Sequence, residues 1–147
     1  MKLKLWATLG LALFTLTGTA TAANPTYVGA EKCKLCHKVE YASWLTTKHA
    51  KAYEALSPAN RAKPECIRCH ITGNTKDLPG VQCEACHGPG SDYKSLTIMK
   101  SREKSTAAGL ILPTEKTCTA CHNSKSPQFK SFNYAEMVKK VHDKKTK

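Results

Sequence analysis

The sequence predicts a small, single, mainly α-helical domain whose interior is not supplied by side chains alone. Three observations predict it. The chain has 147 residues, of which only 7% are aromatic; so short a chain with so thin an apolar inventory needs staples or a supplementary core. All eight cysteines fall in four copies of one five-residue pattern. Apolar residues recur at helical spacing over 39–56 and 134–142. No second long apolar run follows the N-terminal one, which excludes multiple membrane passes. Helical periodicity with abundant Cys argues against a disordered chain.

The first element is an address. Met1-Lys2-Leu3-Lys4 is basic, residues 5–16 are apolar, and Ala20-Thr21-Ala22 is a small-x-small cleavage site. Together they predict a secretory leader over 1–22, cut after Ala22 or Ala23, and a single domain over 23–147. The expected location is periplasmic or extracellular, without stable membrane insertion after cleavage. Removing two leader lysines leaves 21 basic against 11 acidic residues, a net charge of +10. That balance invites a nucleic-acid reading. An exported protein meets little nucleic acid, however, and these lysines are not interleaved with aromatics. A basic surface suited to acidic protein partners remains.

The cysteine pattern carries the chemistry. The copies are Cys33-Lys34-Leu35-Cys36-His37, Cys66-Ile67-Arg68-Cys69-His70, Cys83-Glu84-Ala85-Cys86-His87 and Cys118-Thr119-Ala120-Cys121-His122. C-x-x-C-H is the attachment signature of c-type haem. Two sulfurs one turn apart reach the two vinyl groups of one porphyrin, and the adjacent imidazole becomes the proximal iron ligand. Four disulfides would leave the four following histidines unexplained. Zinc knuckles favour reducing compartments and do not require His at one fixed offset. A thioredoxin-like site needs one C-x-x-C in a βαβ setting, not four. The expected cofactors are four haem c groups with their iron. Their carboxylates would lower the net charge by roughly 4 to 8 units.

Four porphyrins in about 125 residues make the macrocycles the hydrophobic interior, wrapped by short helices and loops. The apoprotein is then expected to be largely unfolded. A globule of this size has a radius of gyration of roughly 14 Å, so the haems must lie nearly edge to edge. Only 12 residues, 71–82, separate the second motif from the third. Motif starts at 33, 66, 83 and 118 are unevenly spaced: a repeated motif, not a repeated module.

Axial ligands can be counted. Four irons could use eight, but the chain has six histidines, four of them proximal. Only His49 and His142 are left, so at least two irons lack a second imidazole from this chain. His49 lies on a predicted helix over 39–56, sharing a face with Leu45, Ala52 and Leu56. Twelve residues at 1.5 Å rise put it more than about 15 Å from His37, so it should ligate a neighbouring haem. His142 ends a second amphipathic segment, 134–142, with Asn133 as N-cap and Glu136 at N3. Tyr134, Val138, Val141 and His142 share its face. Met99 follows His87 by 12 residues and is a candidate thioether ligand; Met137 is expected to pack inward beside Val141. Tyr41 and Trp44 are expected to pack against a ring edge. His87-Gly88-Pro89-Gly90 should stop the third motif's helix, and 73–80 should be a polar loop.

The residues Tyr27-Val28-Gly29, Cys33-x-x-Cys36-His37, Tyr41-x-x-Trp44 and His49-Ala50-x-Ala52 resemble the tetrahaem cytochrome c-554 family of nitrifying bacteria and its relatives in metal- and sulfur-cycling bacteria. The four motifs, the 87–90 turn and a terminal helix bearing His142 strengthen the likeness. The resemblance implies a mainly α-helical fold with parallel-stacked and perpendicular haem pairs. It implies His49 opposite His87 on the third haem and His142 opposite His122 on the fourth. It also implies a five-coordinate second haem on His70. The family's first haem takes a distal His from the segment after the third motif. Met99 stands there in this chain, which implies His37/Met99 ligation.

No Ser/His/Asp triad, paired-carboxylate site or P-loop is visible, so no catalytic residue is assigned. The leading expectation is an electron carrier between periplasmic redox proteins, an oxidoreductase donor and an acceptor cytochrome or quinone-linked protein. The alternative is an enzyme reducing nitric oxide or nitrite at an open iron. A third reading is a subunit of an oligomer in which a neighbour supplies a ligand, but six histidines leave none to lend.

Overall fold

The computed structural model describes residues 24–144; the leader read over 1–22 lies outside them. Eight short helices follow one another. They are α1 (Ala30–Lys34), α2 (Lys38–Leu45), α3 (Pro64–Ile67), α4 (Cys83–His87), α5 (Leu96–Met99), α6 (Arg102–Ala107), α7 (Glu115–Thr119) and α8 (Tyr134–Met137). Single 3₁₀ turns occupy Asn60–Ala62 and Val138–Lys140. Among the described residues the only β pairing is an isolated bridge between Ile71 and Pro79. The mainly α expectation therefore holds, with helices shorter than periodicity suggested. No helix among these residues is long and apolar enough to cross a membrane.

Local chemistry sets the boundaries. Pro64 opens α3 at a position where its missing N–H costs nothing. The Ser101 side chain accepts from Lys104 N at 3.2 Å to cap α6, and Thr114 with Thr117 forms a capping box on α7. Asn133 caps α8 through Glu136 N, as its sequence position predicts.

The helix predicted over 39–56 is not continuous. It stops at Leu45, and His49 lies in a run of turns. The cause is the Thr46-Thr47 pair. Their hydroxyls donate to the Ser43 and Trp44 carbonyls at 2.8 and 2.7 Å, so side chains compete for the acceptors of the last helical turn. Leu45 is left exposed and shares no helical face with His49. Met137, expected to pack inward, is 40% exposed. The face on which it was placed is broken where α8 tightens into the 3₁₀ turn.

The core is small and lopsided. Its buried apolar side chains are Ala30, Tyr41, Trp44, Ile71 and Tyr93, all in the first two-thirds of the chain. Tyr41 and Trp44 pack together with centroids 5.6 Å apart, and Trp44 Nε1–H donates to Val81 O at 2.8 Å. The polar loop after the second motif is pinned by buried Thr72. Its hydroxyl donates to Gly80 O and accepts from Gln82 N, both at 2.9 Å. Gly80, at φ 82°, meets the His49 turn so closely that a Cβ there would lie 2.5 Å from Ala50 O.

Candidate haem sites

Each C-x-x-C-H sequence forms one helical turn. His37 N–H donates to Cys33 O at 3.0 Å, and His122 N–H donates to Cys118 O at 2.9 Å. Two sulfurs three residues apart therefore sit on one side of the turn, with the histidine next to them. Only α4 contains its whole motif. It is closed by Gly88 at φ 79°, whose Cβ would come within 3.1 Å of Gly109 O.

No disulfide joins the eight cysteines, and α1, which carries Cys33, packs against α4, which carries Cys83. Cys33 donates to Cys83, which pushes the Cys33 thiol up and the Cys83 thiol down. Cys69 and Cys121 are hydrogen-bonded; burial and then that bond push Cys121 up to about 12. Burial pushes Cys86 up to about 11. The first motif therefore lies by the third, and the second by the fourth.

The imidazoles come in twos. His49 and His122 have ring centroids 5.9 Å apart, and His87 and His142 6.4 Å apart. Imidazole nitrogens bond such metals at about 2 Å, and a ring centre lies roughly 1 Å beyond its nitrogen, so two rings on opposite faces of one iron should sit about 6 Å apart. Both pairs fit that span. Burial holds His49 and His87 below the usual imidazole range, favouring the neutral, metal-binding form. Phe132 stacks on His122 at 5.0 Å. Among the described residues no cluster of three or more His, Cys, Asp or Glu gathers to hold a bare ion. Paired imidazoles flanked by cysteine turns suit a metal carried in a ring.

The pairing differs from what the resemblance implied. His49 lies by His122, not His87, and His142 by His87, not His122. Two tertiary bonds explain the exchange. Val81 N–H donates to His49 O at 2.9 Å, holding the His49 turn to the loop after the second motif, and the second motif touches the fourth. Asp143 N–H donates to Ser43 Oγ at 2.9 Å, holding the C-terminal segment to α2, which follows the first motif. The first motif touches the third.

The remaining histidines, His37 and His70, carry no such partner. Behind the rings, Nδ1 of His70 and His87 meets the carbonyls of Ala52 and Ile111 at 2.6 and 3.0 Å. A carbonyl there fixes the proton on Nδ1 and leaves Nε2 for iron. His37 differs: its Nδ1 lies 3.9 Å from a Glu40 carboxylate oxygen. Met99 ends α5, half-buried. A cavity of about 510 Å³ adjoins the second motif, lined by Pro64, Glu65, Ile67, Arg68 and Asn74. A smaller one, about 330 Å³, adjoins His142 between Val138, Lys139 and Lys144.

Sequence reading missed Glu84. It sits between the cysteines of the third motif and is 1% exposed. Its carboxylate accepts from Val28 N at 2.9 Å, Gly29 N at 2.7 Å and Gly90 N at 2.6 Å. One side chain thus clamps the N-terminal segment and the 87–90 turn to the third motif. The only signal was an acidic residue inside a motif followed by two glycines, which does not reveal burial.

Comparison with known proteins agrees with this geometry. The sequence model of a family described as cytochrome c554 and c-prime matches residues 32–88. Cytochrome c-554 of Nitrosomonas europaea is 31% identical over an alignment covering 88% of this chain and 80% of that protein. The structure of the reduced state of cytochrome c554 from Nitrosomonas europaea superposes with a TM-score of 0.63 at 28% identity, covering 82% of this chain and 85% of that one. With four haem-attachment turns and two imidazole pairs set at the span of one iron, the chain belongs to the cytochrome c-554 family and is a multihaem c-type electron-transfer protein.

Proposed function

We propose that this protein is an exported carrier that takes electrons from one periplasmic redox protein and delivers them to another along a row of four haems. The observation that carries this reading is the two imidazole pairs, His49 with His122 and His87 with His142, each set at the span of one iron among four attachment turns. Each haem iron, when bound, supplies a one-electron store. The chain's own residues do the rest. Cys33, Cys36, Cys66, Cys69, Cys83, Cys86, Cys118 and Cys121 would hold the rings by thioether bonds. His37, His70, His87 and His122 would hold the irons, joined by His49 at the fourth motif and His142 at the third. Carbonyls of Ala52 and Ile111 keep two of the rings in one tautomer. The leader-like N-terminus supports export, and excess lysine supports docking on acidic redox partners.

Potentiometric titration of the purified holoprotein tests this. Four electrons per chain, taken up reversibly in overlapping steps, are expected; fewer, or none reversibly, would refute it. A second reading is favoured by His70, to which no second imidazole is paired: an iron there has room for a small oxidised-nitrogen substrate. A reduced spectrum unchanged by carbon monoxide would exclude that activity.

A further inference from the structure

We infer that Glu84 sets the reduction potential of the haem on His87, its buried negative charge holding that haem lower than two imidazole ligands alone would. This rests on haem attachment at the third motif as read above. Only the third motif carries an acid between its cysteines; Lys34, Ile67 and Thr119 stand at that position in the others. Glu84 is 1% exposed, and a ring bound beside it could only bury it further. No Lys or Arg among the described residues pairs with it; the lysine bridge that does form joins Lys34 to Glu31. Its partners are backbone N–H groups. Oε1 accepts from Val28 at 2.9 Å and Gly90 at 2.6 Å, and Oε2 from Gly29 at 2.7 Å and Val28 at 3.1 Å. Glu84 accepts in every one of these bonds, which suits the charged, acceptor-only form.

The charge stands close to the ligand. Helix α4 holds the whole motif, and Gly88 N–H donates to Glu84 O at 3.0 Å to close its turn. Residues three apart on such a turn have Cβ atoms roughly 5–6 Å from each other, which sets the span from Glu84 to His87. Backbone amides solvate a carboxylate as dipoles and leave its net charge in place, as a paired lysine would not. Inside the protein that charge acts over a longer range than in water, and salt screens it less. It already acts on a neighbour: burial and then the Glu84 charge push the Tyr93 hydroxyl up. That hydroxyl donates to Gly88 O at 2.6 Å and His87 O at 3.2 Å, at the end of the same turn. Reduction adds one electron to a haem, and a nearby negative charge disfavours that gain as it disfavours any further negative charge. The fourth motif is the reference. It has the same ligand pair, His122 with His49 in place of His87 with His142, but Thr119 and Ala120 between its cysteines. Lys139 and Lys144, beside His142, oppose Glu84, yet lysine stems carry their charged heads into water, where salt screens them.

The experiment is a potentiometric titration of the intact holoprotein followed by electron paramagnetic resonance. Haem is first counted by the absorbance of the pyridine adduct; fewer than four haems in the wild type would refute the attachment reading itself. The low-spin signal lost in His142→Ala marks the third haem, and that lost in His49→Ala the fourth. In the wild type the third haem should titrate at a lower potential than the fourth; the reverse order overturns the inference. Glu84→Gln keeps the size and an acceptor oxygen but removes the charge, and should raise the midpoint of the third haem more than that of any other. Two further variants disturb the clamp and keep the charge. Glu84→Asp shortens its reach, and Gly90→Ala would place a Cβ 2.9 Å from Glu84 Oε1. Both should lower the unfolding temperature and leave the third midpoint nearer to wild type than to Glu84→Gln. An unmoved third midpoint in Glu84→Gln overturns the inference. So does an equal rise in Glu84→Asp, which would make Glu84 a structural clamp alone. Should Glu84→Gln fail to assemble, the wild-type order of the two haems and the third midpoint in Gly90→Ala decide the matter.

Discussion

The stretch before residue 94 and the stretch after it are built on different principles. The first contains every buried apolar side chain of the described residues, together with Thr72 and Glu84. The second buries only Ser105 and leaves Leu96, Ile111, Leu112, Phe129 and Met137 facing outward. The first part has a polypeptide core, small but hydrogen-bonded throughout. The second has local caps and short helices, and is attached at its functional residues: His122 by His49, His142 by His87. A domain can thus place its rigid core on one side and let coordination organise the other. The outward apolar side chains of the second part are surfaces a porphyrin ring can cover.

The largest test removes the rings altogether. With all eight cysteines replaced, helical circular dichroism should fall to that of a largely unfolded chain, because five buried apolar residues cannot offset the ordering entropy of more than a hundred. A native-like helical spectrum would show that the polypeptide needs no haem. Any residual protection from hydrogen exchange is expected around Tyr41, Trp44 and Tyr93, not after residue 94.

Next in size is the clamp. Glu84→Ala would leave the buried N–H groups of Gly29 and Gly90 and the half-buried one of Val28 without an acceptor, each buried one costing about 1–3 kcal/mol. A loss of about 3–5 kcal/mol in thermal or denaturant unfolding is expected, concentrated in the first part of the chain. A melt within a degree of wild type would show that water replaces the carboxylate.

His142→Ala and His49→Ala probe the second part. Each should convert one low-spin iron to high-spin in the electron paramagnetic resonance of the oxidised protein. His142→Ala should also release residues 134–144 to fast exchange while leaving protection at Tyr41 and Trp44 unchanged. Loss of protection throughout would mean that the two parts are one cooperative unit. Trp44→Phe makes the opposite local change. It removes the donor to Val81 O, should cost about 1–2 kcal/mol, and should leave the spin states as they are.

The sequence made the chemistry plain and the pairing obscure. The four attachment turns, the two spare histidines and the Asn133 cap all follow from local rules that act over five residues or fewer. The His49/His122 and His87/His142 pairs do not. They depend on Val81 reaching the His49 carbonyl and Asp143 reaching Ser43, bonds that span 32 and 100 positions and leave no periodic trace. Thr46-Thr47 broke a helix that apolar spacing favoured, since hydroxyl competition for carbonyls is invisible to a hydrophobic pattern. Glu84 and Thr72 were missed for a related reason. Both are polar residues buried because backbone donors and acceptors converge on them, and only the tertiary structure supplies those.

The smallest effect is the sharpest test of what holds the C-terminal segment. Ser43→Ala removes the hydroxyl that accepts from Asp143 N. Loss of such an exposed hydrogen bond costs about 0.5–1 kcal/mol. If coordination by iron orders residues 138–144, the His142 iron should stay low-spin in this variant, and exchange in that segment should rise no more than about fivefold, the equivalent of about 1 kcal/mol. If the hydroxyl is the principal tether, Ser43→Ala should mimic His142→Ala in both spin state and exchange. The separation between the two variants measures how far the second part of the molecule depends on its metal, because Ser43 belongs to the core-bearing part and His142 to the part without one.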